Sequence, residues 1–218
     1  MKKLLLLFVV LLPVLLQAQF GFRAGMNFAN VTGTSSLNTD HKSGFHIGAL
    51  LAPPSKSILS SRTELLFSRQ GYNYASSTNT GNVNLDYIQF GQLMSVNLTK
   101  YVSIMFGAQT AYLISANVDS AKESSTTSPY NMMDLMNRVD YGYAVGVEVH
   151  PIMGLIIGVR YNVSLAKLYK SMETMQPPSF TAEDAKNNLV QIGVGWRFGY
   201  NMNKGKKKEK KDKNEENK

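Results

Sequence analysis

Residues 141–165 read YGYAVGVEVHPIMGLIIGVRYNVSL. Large groups recur at every second position. Tyr141, Tyr143, Val145, Val147 and Val149 share one face, and Gly142, Ala144, Gly146, Glu148 and His150 share the other. His150-Pro151 interrupts the run. Ile157, Val159, Tyr161 and Val163 then oppose Gly158, Arg160, Asn162 and Ser164. A repeat of two predicts strands. Aromatic and branched groups set against glycine and charge invert what a soluble sheet usually needs.

Eight segments carry this period: 20–31, 43–52, 58–70, 84–96, 101–113, 139–149, 153–166 and 188–200. Most have about ten residues or more, the length a tilted strand needs to cross a bilayer. In the fourth, NLDYIQFGQLMSV, the phase slips near Gly91, which predicts a bulge there. The connections alternate in length. APPSKS, NLTK and HPIM are short; VTGTSSLNTDHK, GYNYASSTNTGNVN, SANVDSAKESSTTSPYNMMDLMNR and KLYKSMETMQPPSFTAEDAKNN are long and polar. Up-and-down strands place alternate connections at opposite ends. The pattern therefore predicts an all-β fold, an eight-stranded antiparallel up-and-down transmembrane β-barrel, with long loops outside and tight turns inside the outer membrane.

Lipid supplies the apolar partner that a core would supply elsewhere. The first strand turns Phe20, Phe22, Ala24, Met26 and Phe28 outward, and the last turns Val190, Ile192, Val194, Trp196 and Phe198 outward. Glycines on the other face leave room for arginines in a narrow interior. Phe20, Tyr141, Trp196 and Phe198 fall near strand ends, where aromatic girdles form. A soluble barrel would turn the apolar face inward around a ligand. Its exterior would then carry glycine at every second position, which weakens strands.

Composition sharpens the boundaries. Residues 1–18, MKKLLLLFVVLLPVLLQA, have two lysines, an apolar stretch and a small residue at Ala18, the plan of a signal peptide. The barrel is expected over 19–200 and a disordered, Lys-rich periplasmic tail over 201–218. There is no cysteine, so no disulfide framework is expected. The formal charge of +8 is misleading. Lys2 and Lys3 belong to the leader, and residues 204–218 hold eight Lys against Glu209, Asp212, Glu215 and Glu216. Basicity is thus local to the tail, and no basic groove with interleaved aromatics suggests nucleic acid.

The ordered motifs FGFRAGMNFANV, SRTELLFSRQGY, LDYIQFGQLMSVNL, VDYGYAVGVEV, GVRYNVSL and VQIGVGWRFG resemble the outer-membrane β-barrel family of the PorT type. The resemblance spans nearly all of the mature barrel. Gln89 and Gly91 depart from it, standing where relatives usually show an acidic residue and a proline. It implies the fold, the outer membrane as compartment and service to protein secretion or envelope assembly. It implies no uniform activity.

Seven charges share the glycine face: Arg23, Arg62, Glu64, Asp140, Glu148, Arg160 and Arg197. Buried charges need partners, and four Arg against three acids nearly balance, so a salt-bridged plug is expected. An ion path is the competing reading. Met132, Met133, Leu135 and Met136 have roughly helical spacing. They suit a short amphipathic helix over the mouth, a partner contact, since Met adapts to irregular surfaces, or equally a loop that merely packs on the barrel rim. A hydrolase needs a nucleophile and a base. The candidates are His46 on the inward face with Ser43 or Ser68; His41 falls in a long loop and His150 in a short turn. Their spacing gives no support. The chain is therefore expected to be no enzyme and to use no metal or cofactor. Its expected partners are outer-membrane lipid and envelope or secretion proteins. The competing functions are a barrel enzyme modifying envelope lipid and a narrow small-solute pore.

Overall fold

The computed structural model describes residues 19–33, 38–52, 58–75, 80–120, 130–170 and 184–198. The leader 1–18 and the tail 201–218 lie outside the described residues. The strands are β1 (Gln19–Thr32), β2 (Asn38–Ala52), β3 (Leu59–Ala75), β4 (Thr80–Asn97), β5 (Val102–Ser120), the two-residue β6 (Tyr130–Asn131), β7 (Val139–Val149), β8 (Leu155–Ser164) and β9 (Lys186–Arg197). All neighbours pair antiparallel, and β1 closes the sheet onto β9. β6 adds only a short ladder to the outer end of β5. Eight long strands thus form a ring.

The register fixes the shape of that ring. From Phe20 it runs through Leu51, Thr63, Gln92, Ala108, Tyr143, Val163 and Asn188. It returns to β1 at Asn30, ten positions beyond Phe20. This stagger tilts the strands, and an eight-stranded ring leaves an interior just wide enough for side chains.

The outward face is apolar where lipid is expected. Phe22, Ile47, Leu65, Phe90, Val145, Val159 and Val194 all project outward with a third or more of their surface exposed. At the turn end the rings of Phe20, Phe22 and Phe198 pack together, with centroids 4.7–6.5 Å apart. At the other end the hydrophobic phase reverses. Along β4 the outward side changes from Phe90 and Ile88 to Asp86, Asn84 and Asn82, while Tyr87, Leu85 and Val83 are buried inside. Arg69 marks the crossing: it donates to Asp86 at 2.7 and 2.9 Å and lies over the Phe45 ring. Beyond that level the strands stand in water and follow soluble logic.

This protrusion corrects several sequence boundaries. β3, β4 and β5 run longer than the predicted segments, and β2 begins at Asn38, so His41 lies on a strand rather than in a loop. The polar run before residue 43 hid the strand, and a register irregularity between His41 and His46 broke its alternation. No slip occurs at Gly91. β4 pairs with β3 without a break, and the shift lies between Asp86 and Tyr87, where Ile114 of β5 is bulged out. Leu93 produced the apparent slip: it is an apolar residue inside the barrel, packed with Met105 and Ala144.

The tight turns are chemically specified. The Thr99 hydroxyl accepts the Tyr101 and Val102 N–H groups at 3.1 and 3.0 Å. Gly154 takes a φ of 91°, which a side chain resists, and its carbonyl accepts the Arg197 N–H at 2.8 Å.

Candidate functional site: a filled lumen under a loop cap

The lower lumen holds a charge cluster. Arg23 (β1), Arg62 and Glu64 (β3), Glu148 (β7) and Arg160 (β8) are each 5 % exposed or less. Alternation sends all five inward, and glycines on facing strands leave room. A Cβ at Gly158 would sit 2.8 Å from Glu148 Cγ, and one at Gly193 would sit 2.8 Å from His46 Nε2. Glu148 Oε1 accepts from Arg23 Nη1 and Arg62 Nη2, both at 2.9 Å, and Oε2 accepts from Arg62 Nη1 at 2.8 Å. Glu64 Oε2 accepts from Arg160 Nη1 at 2.7 Å, and its Oε1 lies 2.8 Å from Arg62 Nε. Three guanidinium groups face two carboxylates. Neutral dipoles share the load: Arg160 also donates to Gln191 Oε1 at 2.6 and 3.0 Å.

An amide layer covers the cluster. Gln191 donates to Asn27 Oδ1 at 3.1 Å, and Asn162 donates to Gln191 at 2.9 Å. Asn27 Nδ2 donates to Ser68 Oγ and to the Phe45 and Arg69 carbonyls, at 2.8–2.9 Å. His46 Nδ1 sits 2.8 Å from Asn27 Oδ1.

Two of the seven predicted charges stand apart. Asp140 is half-buried higher up and accepts a hydrogen bond from the Ser164 hydroxyl. Arg197 is half-buried at the turn end. Among the ion pairs of described residues, neither joins the five. Nearby, Ser103 Oγ of β5 lies 3.1 Å from Nε2 of His150, which opens the 150–154 turn. Burial holds the His150 imidazole below its ordinary range; Glu148 opposes this, and Arg197 and Arg62 add to it.

The upper lumen is apolar, which the sequence reading missed. Tyr72, Leu85, Tyr87 and Leu113 line it, and Met132, Met136, Leu168, Tyr169 and Ala185 fill it from the loops. Met132 and Met136 are fully buried, Met133 packs partly against them, and Leu135 is half-buried. The segment forms a turn that packs into the barrel mouth, not the amphipathic helix that is one reading of its spacing, with Leu135 N–H donating to the Met132 carbonyl at 3.0 Å. The two loops are stitched together. Asn137 N–H donates to the Leu168 carbonyl and Lys170 N–H to the Leu135 carbonyl, both at 3.0 Å. The Tyr72 and Tyr169 hydroxyls are hydrogen-bonded. Burial raises the Tyr169 hydroxyl above its ordinary pKa. The available signal was the polar-out, apolar-in alternation of NVNLDY, opposite in phase to the lipid-facing runs.

Of the hydrolase candidates, His46 and Ser68 are paired across β2 and β3 and both bond to Asn27, with no hydrogen bond between them among the described residues. Ser43 is exposed on the outward face, while Ser68 is buried and bonded by the Asn27 and Gln70 amides. Among the described residues no group of three or more His, Cys, Asp or Glu could hold a metal ion.

Ring closure, an apolar exterior and a side-chain-filled interior define an eight-stranded outer-membrane barrel. Residues 14–170 match the family described as the outer membrane protein beta-barrel domain, and the chain belongs to that family. Its place is the outer membrane. Among solved structures it is similar to Ail, the attachment invasion locus protein of Yersinia pestis. That match has 16 % identity and a TM-score of 0.50, over 84 % of this chain and 99 % of that one. It is also similar to Neisserial surface protein A, with 18 % identity and a TM-score of 0.53, over 82 % and 97 % of the two chains. No curated protein matches the chain.

Proposed function

We propose that this barrel is neither a conduit nor a catalyst but a closed scaffold that presents its loop-covered outer end to other envelope components. The observation that carries this reading is the double closure of the lumen, by the Arg23–Arg62–Glu64–Glu148–Arg160 cluster below and the Met132–Met136–Tyr169 cap above. His46 and Ser68 are neighbours, but both are fully buried and held by the Asn27 amide with no hydrogen bond between them, which supports the non-catalytic part of the reading. The PorT-type resemblance of the strand motifs favours envelope assembly or protein secretion as the process served. The partners are then outer-membrane lipid around the wall and envelope or secretion proteins at the ends.

The test is electrical and chemical. Purified full-length chain in planar bilayers is expected to give no stable conductance. A photoreactive residue at the exposed Asp134 of the cap is expected to crosslink one envelope protein on intact cells. Steady ion conduction through the wild-type chain would overturn the closed-scaffold reading. Release of lipid fragments by the purified barrel would overturn the non-catalytic one.

A further inference from the structure

The barrel has two unlike walls. At mid-height β7–β9 turn Val145, Val147, Val159, Ile192 and Val194 outward. On the other side, the register aligns outward-facing Thr63 of β3 with Gln92 of β4, and Gln92 with Ala108 of β5. Gln92 is the middle of the outward positions Ile88, Phe90, Gln92, Met94 and Val96. At about 3.3 Å per residue and a tilt of about 40°, either end of that run is ~10 Å away along the barrel axis. Gln92 therefore lies deep in the apolar band, and its side chain is exposed there.

Gln92 Oε1 accepts the Thr63 hydroxyl at 2.6 Å. The amide also carries two N–H donors, and no described residue accepts them. Hydrocarbon offers no acceptor, so a polar group at this depth calls for a protein partner.

We propose that the wall centred on Gln92 is a contact between two copies of this chain within the membrane. Every copy inserts in the same direction, so a two-fold axis must run along the membrane normal. Each residue on that axis then meets its own counterpart at the same depth. A primary amide is self-complementary: each Nε2–H donates to the partner's Oε1, which keeps a second lone pair after accepting from Thr63. A lipid tail offers no such match. Thr63 and Ala108 flank the amide with small groups, which lets two walls approach closely. On the Val- and Ile-rich wall the outward polar groups beside Val145, Val147, Val159, Ile192 and Val194 are the Tyr143 and Tyr161 hydroxyls, and no side-chain amide faces lipid there.

The absence of cysteine makes single reporters clean. Ala108→Cys and, on the opposite wall, Val159→Cys are placed in the full-length chain and treated in native membranes with a short thiol crosslinker. Ala108→Cys is expected to give a dimer about tenfold more efficiently. Adding Gln92→Leu is expected to lower that yield about tenfold, a modest net worth for the two interchain hydrogen bonds it removes, while the folded barrel's heat-dependent gel mobility persists. Subunit counting on the unmutated chain in bilayers is expected to find two. Equal yields from the two walls, a dimer indifferent to Gln92→Leu, crosslinks only to other proteins, or single subunits would each overturn the proposal.

Discussion

Arg62 of β3 grips Glu148 of β7 with a two-point fork, Nη1 to Oε2 at 2.8 Å and Nη2 to Oε1 at 2.9 Å. The pair spans the lumen between strands that share no ladder, so it braces the ring across its interior rather than along its wall. Parallel N–H···O bonds to a carboxylate are among the stronger side-chain contacts.

Glu148→Gln tests the brace. It leaves three guanidinium groups against the single carboxylate of Glu64. Breaking a buried pair by removing one partner costs about 3–5 kcal/mol, and urea unfolding in bilayers is expected to show a loss of that order. Arg23→Ala should cost less. It removes the surplus cation, and Arg23 Nε and Nη2 have no hydrogen-bond partner. Equal losses from the two variants would mean that packing, not charge balance, sets the cluster's stability.

The cap answers to a different force. Met136 is fully buried while Leu135 is half-buried. Met136→Ala should cost about 2–5 kcal/mol, the range for emptying a buried apolar site, and Leu135→Ala should cost less. The loss should be local, read as faster hydrogen exchange and proteolysis over residues 130–137 with the barrel intact.

Sequence and structure meet unevenly here, and the reason is environmental. Phe22, Val159 and Val194 could be assigned to lipid, and Arg23, Glu148 and Arg160 to the lumen, because alternation against one solvent has one phase. Leu85 and Tyr87 obey the same alternation with the phase reversed, since water replaces lipid outside them. A strand that passes from lipid to water therefore carries two patterns. Reading one phase throughout shortened β3–β5 and left the apolar cap unseen. Leu93 misled for a related reason, being an apolar residue that fills the lumen.

His150 gives the 150–154 turn a pH dependence. Burial depresses its folded-state pKa below the unfolded value of about 6.5. The neutral form is favoured in the fold, so its contribution is present above that value and is lost as pH falls through the folded pKa. Unfolding stability should decline from about pH 6.5 downward, and His150→Gln should remove that part of the slope. A His150 titration midpoint above 6.5 by NMR would contradict the assignment.

Three adjacent residues of β8 decide whether the faces are correctly assigned. Val159 projects outward at 50 % exposure, and Arg160 beside it is 2 % exposed and bonded to Glu64 and Gln191. Val159→Arg places charge against hydrocarbon and should cost about 2–4 kcal/mol near the midplane. That loss should shrink when the same variant is assayed in a short-chain detergent, whose thinner, more fluid alkyl layer lets water and headgroups reach the guanidinium. Arg160→Ala instead strips Glu64 of its 2.7 Å partner, a loss that depends on the lumen and should persist in any solvent. Gly158→Leu should be harmful for a steric reason, because its Cβ would already press 2.8 Å from Glu148 Cγ. The solvent dependence separates the cases. If Val159→Arg is tolerated in a bilayer and Gly158→Leu is tolerated as well, neither residue faces the surroundings that alternation assigns to it.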